Sequence, residues 1–126
     1  MNTALQAYAR TARTGLSGRA LEAAVLSRCA SDLQRAAGAL PESHPALVEA
    51  LERNRQAWWI FAAQARDDGS PLPLEVRRNL LVTAAFVFAR TADICAVTEF
   101  DRLGELVHPL VECNRQLAAG LEGRPG

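Results

Sequence analysis

Apolar residues recur at intervals of three and four along nearly the whole chain, and this spacing constrains the fold more than any other feature. The period matches the 3.6 residues of a helical turn, so it places apolar side chains on one face of a helix. Patterns that alternate between apolar and polar residues, as strands do, are missing. The sequence therefore predicts an all-α protein. A clear instance of the spacing is the series Leu103, Leu106, Leu110, Leu117 and Leu121.

Proline and glycine clusters divide this pattern into helices. Ser17 and Asp101 are suited to cap helices, and Pro45 and Pro73 to begin them. Short connections between long helices favour an antiparallel bundle of four long helices, with a short N-terminal helix packed against it. The length of 126 residues fits a single domain over 1–126, with a frayed tail over about 122–126. The predicted helices span about 3–13, 17–39, 45–66, 73–97 and 101–120.

Charge and composition indicate where such a chain works. Fourteen basic and fourteen acidic residues give a net charge of zero, so no overall field attracts nucleic acid or an anionic membrane. The N-terminus lacks the basic and apolar regions of a signal peptide, and no uninterrupted apolar stretch approaches the roughly 20 residues of a membrane span. Three widely spaced cysteines favour a reducing compartment. We expect a cytoplasmic protein with no membrane insertion.

Residues that carry out catalysis or bind metals are scarce. His108 and Glu112 have the i,i+4 spacing of half a metal site, but no second pair completes it, and zinc needs three or four protein ligands. No serine or cysteine has a recognisable base partner in its segment. We therefore predict a protein that is not an enzyme and that has no metal and no cofactor.

Four consecutive large apolar residues, at 58–61, stand out in the helix over 45–66. Each residue turns a helix by about 100°, so Trp58 and Phe61 continue the inward seam while Trp59 and Ile60 point elsewhere. Either a neighbouring helix covers this second pair, or the pair lines an exposed groove that receives a partner helix. The inward seam reads Leu47, Leu51, Asn54, Trp58, Phe61 and Ala65.

The helix over 73–97 is apolar on all sides between residues 80 and 89, where Phe86 and Phe88 lie. Such a helix is either enclosed at the centre of a bundle or paired with another chain. Because a bundle of 126 residues has little interior in which to enclose a helix, we favour an interface, including one between two copies in a homodimer.

A near repeat links two of the predicted helices. Residues 52–56 and 112–116 both read Glu-X-Asn-Arg-Gln, which places Asn54 and Asn114 on apolar seams. A buried amide without hydrogen bonds costs about 1–3 kcal/mol. The two amides therefore either pair across the core and fix helix register, or line a groove with Arg55 and Arg115 and bind a peptide.

Taken together, these features resemble the FlaF family of small flagellar proteins from alphaproteobacteria. The resemblance runs over most of the chain, with Gly18 in place of a proline, Phe86 in place of a tryptophan and a bulkier residue than usual at Trp59. The similar fragments are Ala7-Tyr8, Ser17-Gly18-Arg19-Ala20-Leu21-Glu22, Ala50-Leu51 with Asn54-Arg55 and Trp58, Leu72-Pro73 with Arg77, Phe86-Val87 with Thr91, and Asn114-Arg115 with Gly120-Leu121.

The resemblance implies a chaperone-like protein that binds flagellin and is needed for its synthesis and secretion, together with the regulator FlbT. We expect a flagellin helix to lie in a groove between the helices over 45–66 and 73–97. A regulator that contacts flagellin mRNA and a structural adaptor that only dimerises are the alternatives. The predicted contacts are Trp58, Trp59, Phe61, Phe86 and Phe88 as apolar anchors, with Asn54, Arg55, Asn114 and Arg115 as polar partners.

Overall fold

A computed structural model describes residues 16–122 of the chain, with side chains from residue 19. Helices make up 84% of these residues and no strand occurs among them, which confirms the all-α class. A short 3-10 turn, Phe100–Arg102, precedes the last helix. The four helices are α1 (Leu16–Ala37), α2 (His44–Arg66), α3 (Leu74–Ala96) and α4 (Leu103–Leu121).

Each helix begins and ends within two residues of its predicted bounds. Neither predicted cap is found: Ser17 lies inside α1, which begins at Leu16, and Asp101 lies inside the 3-10 turn before α4 and makes no capping hydrogen bond. Pro45 occupies the first turn of α2 as predicted. The predicted helix over 3–13 lies outside the described residues, as does the tail over 123–126.

Side chains join the helices across the first two connections. Between α1 and α2, where the Leu40–Pro41 peptide bond is cis, the Ser43 hydroxyl donates a hydrogen bond to the Ala36 carbonyl. Between α2 and α3, the Arg77 Nε donates to the Ala65 carbonyl oxygen at 2.7 Å. Each bond satisfies a carbonyl in the last turn of a helix, where no intrahelical donor follows.

The core forms where α1, α2 and α4 meet. The most extensive contacts join α1 to α4, followed by α2 to α3 and α1 to α2, whereas α3 touches α4 only lightly. Burial of large apolar side chains is the main favourable contribution to folding in such a core. The largest fully buried apolar side chains are Trp58, Leu26, Leu33, Leu47, Leu103, Leu110, Val87 and Val107.

Helix α3 lies at the edge of this core. It buries Ala84, Val87, Thr91 and Ile94, while α2, of the same length, buries nine residues. The interpretation of this segment as an enclosed central helix is therefore wrong. Its apolar character instead leaves a broad apolar surface exposed.

Candidate partner-binding surface

A buried network of hydrogen bonds joins α1, α2 and α4. The Trp58 Nε1 donates to the Asn114 Oδ1 at 2.9 Å, and the Asn114 Nδ2 donates to the Asn54 Oδ1 at 2.7 Å. The same Nδ2 donates to the carbonyl oxygen of Leu26 in α1 at 3.2 Å. One amide thus holds three helices in register. This is the first of the two arrangements that the near repeat allowed.

Four of the predicted partner contacts are wrong, because their side chains belong to this buried network or pack against it. Trp58, Asn54 and Asn114 are fully buried, and Phe61 packs edge-on against Trp58 with ring centroids 5.7 Å apart. Side chains enclosed in this way cannot touch a partner in the folded protein. They are core residues, placed inward by the seam that the sequence itself displayed.

One atom of the network has no partner among the described residues. The Asn54 Nδ2 is buried and unbonded. Its amide cannot simply be reversed, because its other atom accepts the hydrogen bond from Asn114. An unpaired buried donor lowers stability. The two asparagines therefore contribute unequally: Asn114 makes three bonds and Asn54 makes one.

Trp59 lies about 100° around α2 from Trp58, on the side that faces α3, and is 55% exposed. Its ring packs at a tilt against Phe88 of α3, with centroids 6.1 Å apart, and the Arg66 guanidinium lies 5.6 Å from the ring centroid. A large aromatic side chain that contacts both an aromatic ring and a cation, yet is half open to solvent, is suited to contact a partner. We refer to Trp59, Phe88 and Arg66 as the Trp59 site.

Phe86 does not join this site. It lies two residues from Phe88, which separates the two side chains by about 200° around the helix. Phe86 is 37% exposed and its ring lies 5.3 Å from the Arg90 guanidinium carbon, while Arg90 Nη1 donates to the carbonyl oxygen of Leu106 in α4. The predicted anchors therefore do not line one groove. Phe88 lies on the α2 side of α3, and Phe86 lies towards α4.

The two predicted arginines also separate. Arg55 lies one turn before Trp59 on α2 and forms an ion pair with Glu52, with 2.6 Å between Nη2 and Oε1. This hydrogen-bonded arginine lowers the pKa of the Glu52 carboxyl. Arg115, in contrast, donates to the Gln34 Oε1 of α1 at 2.6 Å. Only Arg55 lies near the Trp59 site.

The pair at i,i+4 in α4 is a loose one. The His108 Nε2 lies 4.0 Å from the Glu112 Oε1, and both side chains are largely exposed. Between residues 16 and 122, no three His, Cys, Asp or Glu residues lie close enough together to hold a metal ion. The cysteines of this part of the chain are all free thiols.

The sequence interpretation missed the most exposed large apolar residue of α3. Val82 is 70% exposed, and Ala85 and Ala89 are exposed beside it. Their spacing of three and four residues is the signal that could have singled out this face.

By length and composition α3 could cross a membrane, although one such helix is weak evidence for a membrane span. Only 22% of its apolar 18-residue window is buried, so α3 is not a mostly buried core helix of the kind that passes the same test.

Comparison with known proteins identifies the family. The family model described as "Flagellar protein FlaF" matches residues 4–121, nearly the whole chain. No curated protein and no solved structure matches the chain. The match includes all four helices and the residues of both tryptophan environments. The chain therefore belongs to the FlaF family of flagellar proteins.

Proposed function

We propose that this protein is a cytoplasmic, non-enzymatic chaperone that binds flagellin and supports its synthesis and secretion, acting alongside FlbT. Membership of the FlaF family makes it a flagellar protein. The finer role follows from the family resemblance together with one structural observation, the exposure of Trp59. A chaperone for an export substrate needs a surface that can cover an apolar segment of that substrate, and the Trp59 site offers one.

The proposal takes the four helices as an antiparallel bundle, extended by a short N-terminal helix. Contacts at two levels along a helix pair support the antiparallel arrangement. In α1 and α2, Ala36 meets Ser43 and Asp32 lies 3.9 Å from Arg53, so the numbering falls in one helix as it rises in the other. In α2 and α3, the Ala65 carbonyl meets Arg77 and Trp59 packs on Phe88, in the same opposite order. In this arrangement the outward sides of α2 and α3 are neighbours on one surface.

A flagellin helix would bind through its apolar face. The exposed part of the Trp59 indole would enter that face, with Phe88 packed behind it. Burying a large apolar side chain contributes roughly 1.5–3 kcal/mol before the costs of ordering are subtracted. Arg55 would pair with a flagellin carboxylate. Its present pair with Glu52 is exposed, and exposed pairs contribute little, so exchanging partners costs little.

Calorimetric titration of the protein with monomeric flagellin tests the proposal. We expect saturable binding with a negative heat-capacity change, the mark of apolar burial. Trp59→Ala should weaken that binding at least tenfold, which corresponds to about 1.4 kcal/mol. The matched control is Val48→Ala, which truncates another exposed apolar side chain of α2 about 16 Å from Trp59 along the helix. That control should bind like the wild type.

Helix content must be measured beside affinity, because a loss of binding counts only if the variant is folded. If folded Trp59→Ala binds flagellin as tightly as the wild type, the Trp59 site is not the flagellin surface. If wild-type protein does not bind flagellin at all but binds FlbT, then flagellin secretion is affected indirectly and FlbT is the direct partner.

A further inference from the structure

The outer face of α3 carries an apolar stripe with Arg78 at one end and Asp93 at the other, and Glu75 lies one turn before Arg78. We define this face as Arg78, Val82, Ala85, Phe86, Ala89 and Asp93. Val82 is the most exposed of the large apolar residues, at 70%. In the described part of the chain, neither Arg78 nor Asp93 has an ion-pair partner. Both charges are therefore available to another molecule.

The stripe has the same spacing when it is read from either end. Arg78 lies four residues before Val82, and Asp93 lies four residues after Ala89, with Ala85 and Phe86 at the centre. When two such helices lie antiparallel with their centres aligned, Val82 of one lies opposite Ala89 of the other, and Arg78 lies opposite Asp93. A two-fold axis requires a surface that is complementary to itself in this way.

We propose that two copies of this protein form a dimer by packing the outer faces of α3 against each other in antiparallel orientation. Arg78 of each copy then lies opposite Asp93 of the other, with the charge pairs about 22 Å apart along the helix. Val82 lies opposite Ala89, and the small Ala85 at the centre allows the two backbones to approach within the 8–10 Å of packed helices.

The charges favour a second copy over other occupants of this face. An apolar helix of any source could cover Val82 and Ala85, but it would have no reason to present an acid and a base at these two ends. The dimer would leave the Trp59 site open, because Phe88 and Trp59 lie on the α2 side of α3 and Phe86 lies on the other. Self-association and flagellin binding thus use different surfaces and can fail separately.

Charge reversal with sedimentation equilibrium tests the dimer. Arg78→Asp places acid opposite acid at both ends, and Asp93→Arg places base opposite base, so each should weaken the dimer about tenfold. The double variant Arg78→Asp with Asp93→Arg restores both pairs and should recover the wild-type dissociation constant. Arg28→Asp on α1 changes the net charge by the same amount as Arg78→Asp and should leave the dissociation constant unchanged. Val82→Asp should abolish the dimer, since it buries a charge at the stripe.

Three results would overturn the proposal. One is a wild-type protein that stays monomeric at millimolar concentration. Another is a double variant that is as weak as the single variants, because the two charges would then not face each other. The third is that the wild type is monomeric and that Val82→Asp lowers its affinity for flagellin or for phosphatidylcholine vesicles. The outer face of α3 would then be assigned to flagellin or to lipid. The Trp59→Ala titration is unaffected by any of these, so the flagellin proposal is judged on its own.

Discussion

Trp58 and Trp59 are adjacent in the sequence and have opposite environments. The Trp58 side chain is fully buried and its Nε1 hydrogen-bonds Asn114, whereas the Trp59 side chain is 55% exposed and packs on Phe88. One step along a helix turns the side chain by about 100°, which carries it from the junction of α1, α2 and α4 to the flank of α3. The same kind of side chain therefore holds the fold together at one position and is open to a partner at the next.

The same contrast separates the two sides of the molecule. Helices α1, α2 and α4 share a core with a polar network at its centre, while α3 covers one side and exposes much of its apolar surface. Such a surface is a liability for a protein that works alone, because exposed apolar patches promote association. Under our proposals, this exposed apolar surface is where the protein associates with its partners.

The largest expected effect comes from truncating the two tryptophans separately. Trp58→Ala removes a buried ring and leaves the Asn114 Oδ1 without its donor, so it should lower the free energy of unfolding by about 3–5 kcal/mol. Trp59→Ala should lower it by less than about 1 kcal/mol, since half of that ring is already in water. Urea unfolding followed by circular dichroism measures both. Equal losses would show that Trp59 is a structural residue and would remove the contrast.

A smaller difference should separate the two asparagines. Asn114→Leu leaves the Trp58 Nε1 and the Asn54 Oδ1 unpaired in the core and should cost about 2–5 kcal/mol. Asn54→Leu leaves one N–H of Asn114 unpaired but also removes the unbonded Nδ2, so it should cost only about 1 kcal/mol. Exposed Asn79→Ala is the control, with no more than about 0.5 kcal/mol expected. A larger cost for Asn54 than for Asn114 would mean that its Nδ2 has a partner in the native protein.

The sequence predicted the helices well because their periodicity is strong and their ends carry proline. It also predicted that Trp58 and Phe61 lie on the inward seam and that Trp59 does not. The error lay in listing residues of both directions as contacts of one groove. A spacing of two residues, as between Phe86 and Phe88, already forbids a shared helix face.

Other parts of the site could not be predicted from one sequence. The pairing of Asn54 with Asn114 depends on which helices are neighbours, and periodicity does not specify this. The edge position of α3 depends on how lightly it packs against α4. A run of apolar residues has the same sequence pattern whether its helix is central or exposed. Arg66 and Arg90 escaped notice because their roles arise from the rings they meet in three dimensions.

The smallest expected effect concerns the cysteines, one of which is buried in the core and one exposed on the surface. Burial, with a further contribution from Asp32, raises the pKa of the Cys29 thiol to about 11, from about 9 in the unfolded chain. A raised pKa means that folding favours the protonated thiol. This contribution to stability is complete below pH 9 and is lost as the pH rises through 11.

Comparing Cys29→Ala with the wild type across this range isolates the thiol, because every other titrating group is common to both proteins. The difference in their free energies of unfolding should shift by up to about 2 kcal/mol against the wild type between pH 9 and pH 11. Alkylation of the folded protein at pH 8 should meanwhile modify exposed Cys95 first and buried Cys29 last. A constant difference across that pH range, with Cys29 alkylated as fast as Cys95, would show that the α1 side of the core opens as readily as the surface. The division between a stable buried core and an exposed apolar surface would then not hold.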